Sequence, residues 1–170
     1  TSVPSRVNNF SMDVNYEFEL TNDISAKAGF SYIKGCAYCQ SWPVFHFNPC
    51  NNYNPAISYY ATVNIADLTL QSSFTKTKEI WPGTFNPHPP LNEFPASKVS
   101  AFDVGAKYNL NPDDEVNYIL SAEFSNFISG PEGAPWQRQS QLVLGINAQV
   151  QKSNRIFLEY FRTEGYVPLN

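Results

Sequence analysis

The sequence is poor in charge. Only 15% of its 170 residues are charged, whereas soluble domains average about 25%. The 11 Lys and Arg residues are outnumbered by 15 Asp and Glu residues. No basic excess is left to neutralise phosphates, so we expect no nucleic-acid partner. No apolar run approaches the roughly 18 residues of a transmembrane helix.

Histidine, the most versatile acid–base side chain, is scarce as well. The chain has two, His46 and His88. We find no serine, histidine and acid at a spacing typical of nucleophilic catalysis. We therefore expect no enzyme, no cofactor and no resident metal ion.

Apolar and polar residues alternate one by one along much of the chain. Val14, Tyr16 and Phe18, for example, are interleaved with polar residues, and no helical period of 3.6 persists beyond one turn. A two-residue period predicts strands with two different faces. Eight segments show it, and none contains a proline: residues 11–20, 25–34, 57–65, 68–75, 101–110, 116–125, 142–150 and 154–163.

Short and long connections take turns between these segments. Short turns fall near residues 21–24, 66–67, 111–114 and 151–154, and long loops span residues 35–56, 76–98 and 127–138. Successive strands joined in this way predict one all-β domain over residues 1–170, an up-and-down antiparallel meander. One end of the meander carries the turns and the other end carries the long loops.

Alternation alone does not say whether the apolar face lines a core or contacts lipid. A soluble secreted β-sandwich or β-barrel that binds a ligand is one reading. Three features favour a transmembrane β-barrel instead. The strands are near the roughly 9–11 residues needed to cross a bilayer, and the polar face is mostly Asn, Gln, Ser, Thr and Gly. Short turns opposite long loops are also typical of outer-membrane barrels.

At this point the sequence resembles a known class. Residues 13–20, 102–110 and 142–150, joined by tight turns, resemble porin-type outer-membrane proteins of Gram-negative bacteria. The closing hairpin, residues 142–166, is similar to the end regions of the TonB-independent siderophore-porin group, with no diagnostic motif from which to carry over binding residues. The resemblance implies a place in the bacterial outer membrane, lipid as a partner and passive uptake of small polar solutes. Homo-oligomers and larger envelope assemblies stay open.

The order of turns and loops raises a question about the two ends of the chain. If the short turns are periplasmic, both ends lie outside the cell, whereas porin-type chains are expected to keep both termini in the periplasm. We therefore expect these residues to be an internal part of a larger barrel. An inverted barrel, with the long loops in the periplasm, is the alternative.

The polar face is where a transport pathway would run. Six acids and three bases are expected to face the lumen: Asp13, Glu17, Glu19, Asp103, Glu123 and Glu159, with Lys27, Lys107 and Arg155. Charges lining a pore set its selectivity, so this excess of acids predicts a mild preference for cations or polar solutes. Alternatively, these charges pair across strands and fill the interior of a structural or adhesive barrel whose loops bind a partner.

The first long loop holds all three cysteines. Cys36, Cys39, His46 and Cys50 supply the ligand types of a Cys3His zinc site. A disulfide that closes a surface loop in an oxidising compartment is our preferred reading, and it is worth about 3 kcal/mol on the chain-entropy model. Three cysteines cannot all pair within the chain.

The second long loop, residues 76–98, contains Trp81, Phe85, His88 and Phe94 together with five prolines. Two arrangements are open for it. It either enters the lumen or caps the mouth of the barrel, or it is a stiff, proline-braced surface loop.

Overall fold

The computed structural model describes residues 10–35, 54–111, 116–150 and 154–165. Within these ranges eight strands form: β1 (Ser11–Thr21), β2 (Ile24–Ile33), β3 (Ala56–Ile65), β4 (Leu68–Thr77), β5 (Ser100–Leu110), β6 (Val116–Ile128), β7 (Arg138–Val150) and β8 (Asn154–Gly165). The loop between β4 and β5 contains two short 3-10 helices, Pro82–Thr84 and Leu91–Glu93. Among the described residues, no helix has the length and apolar character needed to cross a membrane.

All eight strands belong to one sheet in sequence order, and every neighbouring pair is antiparallel. This confirms the predicted all-β, up-and-down architecture. Within the described ranges β1 pairs only with β2, and β8 pairs only with β7. The sheet is therefore open, with β1 and β8 as its edges, as in a segment of a barrel wall.

The strands β6 and β7 are longer than the alternation predicts. The ladder between them runs to the pair Ile128 and Arg138, so the expected loop over residues 127–138 shrinks to residues 129–137. Asn126 and Ser140 occupy positions on the otherwise apolar face. They break the sequence pattern, while the backbone hydrogen bonds continue because they do not depend on side-chain polarity.

Within the described ranges, neither face of the sheet carries a packed core. Among the described residues, the buried hydrophobic side chains are Ala56, Ala134 and Trp136, all at the long-loop end of the sheet or in its loops. Large apolar side chains along the strands are exposed instead; Leu158 on β8, for example, is 70% exposed. A soluble sandwich would cover such a face with a second sheet, and the described residues form one sheet only.

The loops over residues 78–99 and 129–137 pack on each other and form what we call the loop knot. Its centre is Trp136, which is 3% exposed and donates its indole N–H to the Thr84 carbonyl at 3.0 Å. The ring of Phe94 lies edge-on to Trp136, with 5.6 Å between ring centroids. The Ser97 hydroxyl donates to the Ser129 carbonyl at 2.8 Å. The second long loop is thus tied to the loop beside it at the end of the sheet.

Candidate functional site

The strand register places all nine candidate charges on one face of the sheet, which we call the polar face. Side chains that pair directly across antiparallel strands point to the same side. The register pairs Glu17 with Lys27, and it runs from Lys107 through Ser121 to Gly145 and Glu159. Following the pairs across the sheet puts Asp13, Glu17, Glu19, Lys27, Asp103, Lys107, Glu123, Arg155 and Glu159 on this face.

Asp13 is the most highly hydrogen-bonded of these charges. Its carboxylate accepts hydrogen bonds from the Tyr60 hydroxyl at 2.9 and 3.0 Å, from the Asn15 amide at 2.8 Å and from the Ser31 hydroxyl. Tyr60 lies on β3, so its side chain crosses the whole width of β2 to reach Asp13 on β1. This cluster fastens the edge strand β1 to the third strand of the sheet.

Gly29 makes that crossing possible. It lies between Asn15 and Tyr60 in the register, and the Tyr60 ring rests directly over it. A Cβ atom at position 29 would overlap the ring. An aromatic ring laid over a glycine on a neighbouring strand is a known device for pinning register. The sequence shows Tyr60 among the polar-side residues of β3, but it does not reveal this partnership with Gly29.

The remaining polar-face acids have fewer partners. Asp103 accepts a hydrogen bond from Ser73, and it lines a cavity of about 310 Å³ together with Glu123, Ser125 and Gln141. In the described part of the chain, Glu123 and Glu159 form no side-chain hydrogen bond or ion pair. The ion pair within the described ranges joins Arg162 and Glu164, which lie on the other face. The charges of the polar face therefore do not neutralise each other through ion pairs there.

The polar face also carries apolar side chains near one edge. Phe157 and Phe161 flank Glu159 on β8, and each is 69% exposed. Ile119 and Val143 lie in the same register rows as these phenylalanines. This stripe is the feature of the polar face that favours a partly filled interior.

The opposite side, the apolar face, has boundaries that run obliquely across the sheet. On β3 it is apolar from Ile57 to Ile65, and on β7 from Leu142 to Val150. Directly paired residues form a row across the sheet. The row that contains Ile57 on β3, however, reaches β7 at Arg138, and the row that contains Ile65 reaches β7 at Ile146. Both boundaries have thus shifted by four residues toward the short-turn end over four strands, one residue per strand.

This slope converts into an angle. Four residues span about 13 Å along a strand, and four strand spacings span about 19 Å across the sheet. The apolar band therefore makes an angle of about 35° with the direction perpendicular to the strands, which matches the roughly 35–45° tilt of strands in transmembrane barrels. The band extends over eight residues along each strand, which corresponds to a height of about 22 Å along the axis of such a barrel.

The upper boundary of the band is sharp. Seven polar residues of the apolar face lie beyond it at the long-loop end: Lys76, Ser100, Asn126, Arg138, Ser140, Arg162 and Glu164. Ile128 is the apolar exception beyond the line, and Ser72 and Asn154 are the polar exceptions within the band. Apart from these three residues, one straight line of constant slope separates the apolar from the polar side chains of this face on β4 to β8, the strands that carry polar residues beyond it.

The cysteine predictions fall outside the described residues. Cys36, Cys39, Cys50 and His46 all belong to residues 36–53, so the expected disulfide stays a prediction. His88 lies in the loop between β4 and β5, where its backbone N–H donates to the Asn86 side chain at 3.0 Å.

Comparisons with protein-family models, with curated proteins and with solved structures found no match to this chain. The two faces of the sheet are therefore the basis for a functional assignment.

Proposed function

We propose that this chain forms part of the wall of an outer-membrane β-barrel that works as a porin-like channel for passive uptake of small polar solutes. In this arrangement the apolar face contacts lipid and the polar face lines the lumen. The long loops lie outside the cell, and the short turns lie in the periplasm.

The oblique apolar band is the observation that carries the proposal. In a membrane the lipid boundary is a plane, so on tilted strands it must cut across the register rows at the tilt angle. The boundary slope gives about 35° without reference to any barrel geometry. Strands tilt in every closed barrel, so the slope supports a barrel, and the low charge of the chain, 15% of residues, supports placing the apolar face against lipid rather than in a soluble core. The exposed apolar side chains of the band then meet hydrocarbon rather than water.

A filled structural or adhesive barrel is the second candidate. The exposed Phe157 and Phe161 on the polar face favour it, since apolar side chains inside a barrel pack against something. The loop knot would then be a rigid surface offered to a partner. The lack of ion pairs among the polar-face charges in the described residues supports the channel instead.

Conductance in planar lipid bilayers tests the proposal. The full chain, extracted from its native membrane and reconstituted, should open discrete conductance steps in KCl solution. A barrel that inserts, with the heat-modifiable gel mobility of a folded β-barrel, but conducts nothing would refute the channel and support the filled barrel. A soluble, monodisperse monomer without detergent would refute both membrane proposals.

A further inference from the structure

The slope of the apolar band also determines the depth of each polar-face charge, that is, its position between the long-loop end and the short-turn end. Residues at one depth in the membrane are related by the register plus a shift of one residue per strand toward the short turns. The row of Glu123, for example, reaches β8 at Phe161. Because β8 lies two strands from β6, the position of equal depth on β8 is two residues nearer the short turns than Phe161, which is Glu159. These two carboxylates therefore share one depth although they lie in different register rows.

Treated in the same way, the other charges separate by sign except on β1, where Glu17 reaches the depth of the bases and Glu19 lies still nearer the short turns. Asp13 and Asp103 fall within one residue of the depth of Glu123 and Glu159. Lys27, Lys107 and Arg155 fall within one residue of one another, about four residues nearer the short-turn end. Four residues on strands tilted by about 35° correspond to roughly 10 Å along the barrel axis.

We infer that the polar face carries two opposed charge levels in series, and that they make the pathway rectify ion current. The upper carboxylate level consists of Asp13, Asp103, Glu123 and Glu159, and the lower basic level of Lys27, Lys107 and Arg155. The inference rests on the proposed channel, because the levels act on ions only if the polar face lines an aqueous pathway. It assigns to these residues the selectivity of that pathway.

The structure supports the two levels beyond their sequence positions. The hydroxyls of Ser31, Tyr60 and Ser73, which hold Asp13 and Asp103, lie at the same depth as the carboxylates. Of the two remaining polar-face acids, Glu17 stands directly opposite Lys27, and Glu19 lies nearer the short turns on the same strand. Both belong to β1 alone, so they do not extend around the wall as the four upper carboxylates do.

Two opposed charge levels in series produce asymmetric conduction for a simple reason. A carboxylate level admits cations, and a basic level admits anions. A positive potential on the long-loop side drives cations through the carboxylates and anions through the basic side chains, so both ions accumulate between the levels. The opposite potential depletes them. At 0.1 M salt the screening length is about 10 Å, comparable to the separation of the levels, so each level keeps its own sign.

Current–voltage curves of the reconstituted full chain test this inference. In 0.1 M KCl we expect a current about twofold or more larger when the long-loop side is positive, and the asymmetry should fall in 1 M KCl, where screening shortens to about 3 Å. The double variant Glu123→Gln, Glu159→Gln, which neutralises two of the four upper carboxylates, should reduce the asymmetry and lower the cation-to-anion permeability ratio. Lys107→Gln should raise that ratio.

The matched control is Glu164→Gln, the same change of charge on β8 but on the apolar face, which should leave both quantities unchanged. A pore that conducts symmetrically in the wild type, or whose asymmetry is undiminished in the double variant, overturns the two charge levels and leaves the channel in place. A folded barrel without conductance refutes the proposed channel itself, and the inference with it. The opposite shifts expected for the acidic and basic variants distinguish a selectivity effect from misfolding.

Discussion

The proposed lipid boundary leads to a prediction about the strand β6. Leu120 and Asn126 lie on the same face of β6, six residues apart, and the oblique boundary passes between them. Leu120 lies near the middle of the apolar band, whereas Asn126 lies just beyond its upper edge. Their difference in depth is about 16 Å on a strand tilted by about 35°. The same substitution at these two positions therefore measures the boundary directly.

Leu120→Arg should lower the free energy of unfolding in lipid vesicles by about 2–4 kcal/mol, because a guanidinium near the bilayer midplane loses its hydration. Asn126→Arg should cost about 0–1 kcal/mol, as expected for an interfacial position. Reversible urea unfolding from vesicles, followed by far-UV circular dichroism, gives both values. If the apolar face met water, at the 41% exposure that Leu120 has in the sheet, both substitutions would be cheap. Equal costs at the two positions would refute the assignment of the apolar face to lipid.

Three further predictions concern the sheet and its loops. Gly29→Val should displace the Tyr60 ring and lower the free energy of unfolding by about 1–3 kcal/mol, the usual cost of overpacking, measured by the same urea titration. Tyr60→Phe, which keeps the ring and loses its hydrogen bond to Asp13, should be less destabilising. If Gly29→Val is silent, the ring does not rest on the glycine. Trp136→Ala should open the loop knot, at a local cost of about 3–5 kcal/mol, and speed proteolysis of residues 78–99 while the circular dichroism of the sheet is unchanged; equal cleavage rates in the two proteins would contradict the role of Trp136. The three cysteines should leave one titratable thiol per unreduced chain under denaturing conditions, and three free thiols would rule out the disulfide.

The number and type of the strands could be predicted from the sequence because each segment alternates over about ten residues. Two-residue alternation depends only on neighbours along the chain, so the faces of Asp13 or Leu144 follow from local pattern. The ends of β6 and β7 could not be predicted in this way. Asn126 and Ser140 are polar for a reason that lies in the position of the boundary, and local alternation contains no information about depth.

The depth of each charge could not be predicted either. Depth requires the register between strands, and register depends on turn lengths and on side chains from distant parts of the sequence, such as Tyr60 resting on Gly29. Taken in sequence order, the acids and bases of the polar face look intermixed. Only the pairing of strands together with the slope of the band separates Glu159 and Glu123 from Lys107. The members of the candidate site could therefore be predicted from alternation, but their depths could not.

The loop knot has a mechanical consequence for the sheet. The two loops that meet at Trp136 connect β4 to β5 and β6 to β7, and the sheet already joins these hairpins through β5 and β6. The contact between Trp136 and Thr84 is therefore a second connection across the four strands β4 to β7, in addition to their backbone hydrogen bonds. It stiffens the long-loop end of these strands. In the proposed barrel, β4 to β7 would therefore resist lateral pressure from the membrane as a stiff unit, and changes in the diameter of the mouth would be concentrated in the other strands.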